Sequence, residues 1–240
     1  MTVSYDGSHY SGYQKQSGFR TIQAELERAL TEINDSKPVI IYSSGRTDKG
    51  VHAYNQKIHF DLDMNISLYN LREAINSKLD DYIYVKSINV VDSSFHARYN
   101  VVSKEYMYII NTSDYNPIEK DYVYQYNKSL DVVEMERAIQ YFIGEHDFSS
   151  FTKPNTEKTN FVREIKSISL NVDNKGKIVI TFIGNGFLRY MVRNLVGTII
   201  EVGEGKRKSE DMYDILISKD RTKAGTMAPA CGLYLKNVNY

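Results

Sequence analysis

One cysteine, Cys231, stands alone in 240 residues, so no internal disulfide can brace this chain. That fits a reducing compartment and leaves stability to the core. Net charge is missing too: 30 Lys and Arg balance 30 Asp and Glu, and bulk electrostatics announces no polyanionic partner. No apolar run approaches the roughly 20 residues of a membrane-spanning helix. The N-terminus shows no signal-peptide pattern, so the expectation is a soluble, cytoplasmic protein with no membrane contact. Four prolines make no Pro-rich linker, and no low-complexity tract divides the chain. His9, His52, His59, His96 and His146 lack the short spacing of a metal motif, and one cysteine cannot complete a zinc site. No metal is expected. Gly184-Asn185-Gly186 invites a dinucleotide-binding reading, but Arg189 stands where the fingerprint needs its third glycine. No cofactor is expected either.

What is present is unevenly distributed. Residues 161–240 carry 13 Lys or Arg against 8 Asp or Glu, whereas residues 101–160 carry 6 against 10. A neutral chain built this way can still turn a basic face to a phosphate backbone. Lys15, Arg20, Lys206, Arg207 and Lys208 are the candidates for that face.

Periodicity gives the element order. A strand occupies residues 1–5, and Thr21 caps a helix to about Asn34 with Ile22, Leu26, Ala29, Leu30 and Ile33 at helical spacing. Strands follow at 39–42 and 54–61, then a helix carrying Leu68, Leu71, Ile75 and Leu79, then a strand over 82–90. This β-α-β-β-α-β order is ferredoxin-like. The second half repeats the theme, with strands at 106–110, 122–126, 165–172 and 177–183. Ser129 is placed to cap a helix that Gly144 ends. A helix from about Phe187 to Val202, another near 209–218 and a last strand from Leu233 complete it. The reading is a duplicated α+β fold, with subdomains at 1–100 and 101–240.

The stretch from Ser43 to Ala53 is the richest in chemistry. It holds Asp48 between Arg46 and Lys49, with Gly45 and Gly50 outside them, on a loop between two strands. Nearby cations favour an ionised carboxylate. Ionised and aimed by a sheet, Asp48 describes a nucleophile or an anion-binding switch; the same residue types also make an ordinary polar turn. Tyr106 shares a strand face with Tyr108 and Ile110, where a ring can stack on a base or pack in the core. Arg193 lies in a segment apolar on nearly every side, from Phe187 to Val196. A buried guanidinium there needs an acid or several carbonyls as partner.

Gly45-Arg46-Thr47-Asp48-Lys49-Gly50-Val51-His52-Ala53 matches every specified position of Gly-Arg-Thr-Asp-x-Gly-Val-His-Ala. The chain thereby resembles the TruA family of tRNA pseudouridine synthases. Family-like segments continue in order at Tyr5-Asp6-Gly7, Gly12–Gln16, Phe95-His96-Ala97-Arg98, Lys104–Tyr108, Gly144–Phe148, Met191-Val192-Arg193-Asn194 and Ala228–Leu233. The resemblance implies two ferredoxin-like halves whose sheets join across a central active-site cleft. It implies an isomerase that converts uridine to pseudouridine at positions 38, 39 and 40 of the tRNA anticodon stem–loop. Asp48 would be its catalytic aspartate, by direct attack or by removing the C2′ proton. Tyr106 would be the active-site tyrosine, and Arg46 would orient the acid and fill the space left by the flipped base. Arg193 would pair with Asp48, and Leu233 would pack near the target base. The implied partners are tRNA and a second copy in a homodimer. A non-catalytic RNA-binding protein on the same scaffold is the alternative. Lys49 departs from a position usually small in the family, and Tyr13 and Lys15 replace commoner Trp and Arg. These departures are expected to alter RNA contacts rather than chemistry.

Overall fold

The computed structural model describes residues 1–153 and 160–240. In chain order its first elements are β1 (Thr2–Tyr5), α1 (Ile22–Ile33), β2 (Tyr42–Ser43), β3 (His52–His59), α2 (Leu68–Lys78) and β4 (Ile83–Ser87). Next come β5 (Ser103–Asn111), β6 (Tyr124–Gln125), α3 (Val132–Gln140), β7 (Gly144–Asp147), β8 (Val162–Val172) and β9 (Lys177–Gly184). The last are α4 (Met191–Gly203), α5 (Asp211–Ser218) and β10 (Leu233–Asn239). The fold is α+β. The chain divides into two compact units, Met1–Val102 with Tyr234–Tyr240, and Ser103–Leu233. Among the described residues no helix is long and apolar enough to cross a membrane.

In the first unit the strands run β4-β1-β3-β10, with β2 also paired to β3. β1 is antiparallel to both neighbours, β2 is antiparallel to β3, and β10 is parallel to β3. Positions 1 to 87 thus adopt the β-α-β-β-α-β order that the sequence predicts. The two helices start where polar caps take up first-turn donors. Thr21 Oγ1 accepts the Ala24 N–H at 3.4 Å, and Ser67 Oγ accepts the Asn70 N–H at 3.2 Å. Leu26, Ala29 and Leu30 of α1 and Leu71 and Ile75 of α2 are buried, as are Val3, Tyr5 and Val85 of the sheet. Along β4 burial alternates, so Ile83 and Val85 face the core while Tyr84 and Lys86 face solvent.

The strand expected at 39–42 is shorter than its apolar run. The Val39 N–H donates to Thr31 Oγ1 at 3.2 Å and the Ile41 N–H to Glu27 Oε1 at 3.5 Å. Side chains of α1 satisfy this backbone, and only Tyr42 and Ser43 reach the ladder with β3.

In the second unit the strands run β5-β9-β8-β7, all antiparallel, with β6 parallel to β5. β8 and β9 meet at the expected turn, where the Asp173 carboxylate accepts the N–H groups of Lys175 and Lys177, each at 2.8 Å. β5 and β8 each begin three residues earlier than the sequence reading and β6 is cut to two residues, and three further boundaries differ. Asp131, not Ser129, caps α3, accepting the Glu134 N–H at 3.0 Å. Gly144 opens β7 instead of ending α3, which stops at Gln140. No apolar alternation marks Gly144-Glu145-His146-Asp147, because a polar edge strand needs none. The helix expected from Phe187 begins only at Met191, since Tyr190 takes a left-handed φ of 65° that breaks any earlier turn.

The segment 225–228 lies against α4. The Gly225 N–H donates to Thr198 Oγ1 at 2.9 Å and the Thr226 N–H to Glu201 Oε1 at 2.9 Å. The Ala228 N–H donates to the Arg193 carbonyl at 3.1 Å. This approach requires Gly197, because a Cβ there would sit 1.7 Å from the Thr226 carbonyl oxygen. Gly197→Ala is therefore expected to destabilise the protein by about 3 kcal/mol through overpacking. Urea unfolding checks this; an unchanged midpoint would mean that the segment moves aside at no cost.

Candidate active site

The loop from Ser44 to Val51 joins β2 to β3, and its buried backbone groups need partners. The Ser44 N–H donates to the Lys57 carbonyl at 2.8 Å, and the Tyr13 N–H to the Thr47 carbonyl at 3.1 Å. The Val51 N–H closes a turn on the Asp48 carbonyl at 3.1 Å. Gln56, from the middle of β3, accepts the Ser44 hydroxyl on Oε1 at 2.5 Å and donates from Nε2 to the Gly45 carbonyl at 2.8 Å. Tyr5, at the end of β1, shares a hydroxyl–hydroxyl hydrogen bond of 2.8 Å with Thr47. Ser44, Thr47, Tyr5 and Gln56 are all buried, so these bonds act in a medium that weakens them little. Burial pushes the Tyr5 phenol up to about 12 despite opposing hydrogen bonds from Thr47 and Gln56. Where the loop enters β3, the Gly7 N–H donates to His52 Nδ1 at 3.2 Å, and a Cβ on Gly7 would lie 2.0 Å from the Val51 carbonyl oxygen.

Asp48 therefore sits between two anchored residues, Thr47 and Val51. It is half-buried, while Arg46 and Lys49 on either side are exposed. A carboxylate held this way at a surface can act as nucleophile or base toward a substrate brought to it. Tyr13 is not an RNA contact of the kind the sequence suggests. It is buried behind the loop, with its ring centroid 6.3 Å from that of Tyr5, and its own contribution is the backbone bond to Thr47. Lys15 is exposed and its ammonium lies 3.0 Å from Glu27.

The other candidate residues belong to the second unit. Tyr106 on β5 is buried with Tyr108 and Ile110 on the same strand face, as their alternation predicts. Its ring meets Phe187 edge to face, with centroids 5.1 Å apart and an interplanar angle of 81°. Tyr108 is a packing residue whose hydroxyl donates to the Pro229 carbonyl at 2.7 Å. Arg193 lies in the first turn of α4 and is half-buried, not enclosed. Its Nε donates to the Ala228 carbonyl at 2.8 Å, which fixes the root of the guanidinium. Leu233 is buried where β10 begins, just after the tight turn Ala230–Gly232.

Sequence reasoning missed the residues that hold the site. Gln56 belongs to no motif; its signal is an amide at a buried position of β3, close to Ile58. Asn194 has no role assigned from the sequence, yet it is buried, donating to the Phe151 carbonyl at 2.7 Å and accepting from Arg221 at 2.8 Å. Among the described residues no group of three or more His, Cys, Asp or Glu side chains is arranged to hold a metal ion.

Comparison with known proteins identifies the family. The family profile described as tRNA pseudouridine synthase matches residues 1–100 and 138–240. The chain belongs to the tRNA pseudouridine synthase family, isomerases that convert uridine to pseudouridine in tRNA. It is 42% identical over 240 residues to tRNA pseudouridine synthase A 1 of Bacillus cereus, covering 100% of this chain and 97% of that one. It is 44% identical over 239 residues to tRNA pseudouridine synthase A of Anoxybacillus flavithermus, with the same coverage of both chains. The Listeria welshimeri tRNA pseudouridine synthase A is 42% identical, over 99% of this chain and 97% of its own.

The burial of the Tyr5 phenol has an alkaline signature. The folded-state value near 12 exceeds the ordinary tyrosine value of 10, so the unfolded chain releases this proton first. The stability is fully present below pH 10 and is lost as pH rises through about 12, by about 3 kcal/mol in all. Tyr5→Phe, with no proton to lose, should shed about that much less stability than the parent between pH 9 and 12. Urea midpoints across this range measure the difference; identical pH profiles would show that Tyr5 ionises freely.

Proposed function

We propose that Asp48 is the catalytic aspartate of this isomerase, acting on uridines 38, 39 and 40 of the tRNA anticodon stem–loop. The observation that carries the assignment is the anchoring of its loop by Tyr5 and Gln56, which holds the backbone that presents one half-buried carboxylate. The reaction breaks the N1–C1′ bond, turns the uracil and joins C5 to C1′; C5 gives up a proton and N1 gains one, so nothing is consumed. Asp48 either attacks directly, forming a covalent adduct that collapses on rejoining, or takes the C2′ proton to leave a glycal. The target base must leave its stack to reach such a group. Arg46, exposed two residues away, serves to orient the acid and to fill the vacated place in the RNA. Tyr106 supplies a ring for the uracil, Arg193 a cation for substrate or acid, and Leu233 an apolar contact for the base. The working form is a cytoplasmic homodimer in which one tRNA contacts both subunits.

Asp48→Asn keeps the size of the side chain but removes its anionic oxygen. Single-turnover pseudouridine formation on an unmodified tRNA transcript should fall at least about a thousandfold, roughly 4 kcal/mol of transition-state stabilisation, with far less change in tRNA affinity. Mapping the parent's product should find pseudouridine at positions 38, 39 and 40. Appreciable turnover by a folded Asp48→Asn protein would overturn the role of the carboxylate, and modification elsewhere in the tRNA would overturn the positions.

A further inference from the structure

Four of the five cations that the sequence offers for a phosphate track are already neutralised. Lys15 pairs with Glu27 at 3.0 Å, Arg20 with Glu25 at 2.9 Å, Lys206 with Glu204 at 2.7 Å and Arg207 with Glu201 at 2.6 Å. Lys57 and Lys86 differ. The Lys57 ammonium donates to Thr2 Oγ1 at 2.9 Å, and that of Lys86 to Asn55 Oδ1 at 2.8 Å and the Tyr54 carbonyl at 3.3 Å. All three acceptors are neutral oxygens.

Both lysines stand on the solvent side of the first unit's sheet. Thr2 is opposite Lys57 in the β1–β3 ladder, and Lys86 shares its face of β4 with Tyr84. The Lys86 side chain crosses β1 to reach β3, which brings the two ammonium groups close. Burial, and then the charge of Lys86, hold the Lys57 amine below its ordinary range. Like charges placed together with neutral partners are unfavourable until an anion arrives.

His59 lies two residues beyond Lys57 and so on the same face of β3. It begins a ladder of rings. Tyr42 stacks on His59 at 5.0 Å and 18°, His59 meets His96 at 4.6 Å, and His96 meets Tyr99 at 4.3 Å. Each histidine accepts a backbone N–H on Nδ1, from Ala97 and Arg98 respectively, both at 3.1 Å. In the neutral rings the proton is then on Nε2, which is left to donate. Burial, then His96, hold His59 below its ordinary value, with Asp61 the acid that opposes them. Tyr42 is 48% exposed and Tyr99 76% exposed, and the Arg98 guanidinium lies 5.9 Å from the Tyr99 ring. Exposed rings beside unneutralised cations suit single-stranded or loop nucleotides, whose bases stack while their phosphates are held. The Asp48 loop enters β3 at His52 and the ladder stands at His59, roughly 23 Å further along the strand.

We infer that this face is a second RNA contact, separate from the Asp48 loop, in which Lys57 and Lys86 take backbone phosphates and the Tyr42–His59–His96–Tyr99 ladder stacks unpaired bases. It rests on the reading of tRNA as substrate.

The test uses the full chain and an unmodified tRNA transcript, with affinity measured over a series of salt concentrations. Replacing both lysines, Lys57→Ala with Lys86→Ala, should reduce the slope of log affinity against log salt by about 1.4, roughly 0.7 for each lost phosphate contact on unpaired nucleotides. KM should rise with kcat unchanged. Replacing both tyrosines, Tyr42→Ala with Tyr99→Ala, should weaken binding about tenfold or more and leave the salt slope alone. Thermal melts confirm that the variants fold, and single conservative variants, Lys86→Gln and Tyr99→Leu, give the same readouts if a double variant does not. If folded variants keep both affinity and slope while the parent makes pseudouridine, this contact is wrong and the catalytic reading stands. A parent that makes no pseudouridine would instead remove the catalytic reading. If the variants lose dimer by sedimentation and keep monomer affinity for tRNA, the face belongs to a second copy of the chain and the inference is overturned.

Discussion

Everything Asp48 can do depends on the buried hydrogen bonds that fix the backbone on either side of it. Ordering one residue costs about 1–2 kcal/mol in conformational entropy, and a typical internal hydrogen bond returns about 1 kcal/mol net. The bonds made by Tyr5, Ser44, Thr47 and Gln56 can therefore do little more than offset the ordering of their own loop. The surplus comes from the sheet. Tyr5 and Gln56 stand on β1 and β3, antiparallel neighbours whose helix-facing side is filled by Val3, Leu26, Leu30 and Ile75. The core holds these two side chains in place before they hold the loop.

The second unit uses the same principle with different parts. Its α4 is buried along nearly all of its length, and the segment 225–228 is bonded to it at Thr198, Glu201 and the Arg193 carbonyl. Arg193 returns the contact by donating to Ala228. A long side chain is thus fixed at its root, with its guanidinium carbon 5.9 Å from the Tyr190 ring centroid.

Much of this was legible in the sequence, and the failures have physical causes. Helix α1 announced itself because an apolar stripe and a polar cap agree at Thr21, and α2 by its apolar stripe alone, its cap Ser67 being visible only in the structure. Tyr106, Tyr108 and Ile110 lie on one buried face because strand period alone decides it. The short β2 was not legible: Val39-Ile40-Ile41 has strand composition, but Thr31 and Glu27 of α1 supply its hydrogen bonds. Strand β7 carries no apolar signal, and the start of α4 depends on a left-handed Tyr190 that no periodicity reveals. At the site, the Gly45–Ala53 motif pointed to Asp48, but not to Gln56 or Tyr5, whose importance appears only when β1 and β3 bring distant residues together. Charge counts pointed to five cations of which four prove to be paired with acids, because a count along the chain cannot see which charges already have partners.

The claim that rigid support of the loop, and not merely the presence of Asp48, makes the site competent can be measured on one residue. Gln56→Leu preserves volume on β3 but removes the Gln56 hydrogen bonds to the Ser44 hydroxyl and the Gly45 carbonyl, the latter keeping the Ser43 hydroxyl at 3.0 Å. Single-turnover pseudouridine formation by this variant, Asp48 intact and tRNA affinity measured in parallel, should fall by about a hundredfold, the scale expected when a reacting group is displaced by about 1 Å. Affinity should be unchanged. A folded Gln56→Leu protein that turns over at the full parental rate would contradict the dependence of the site on this network.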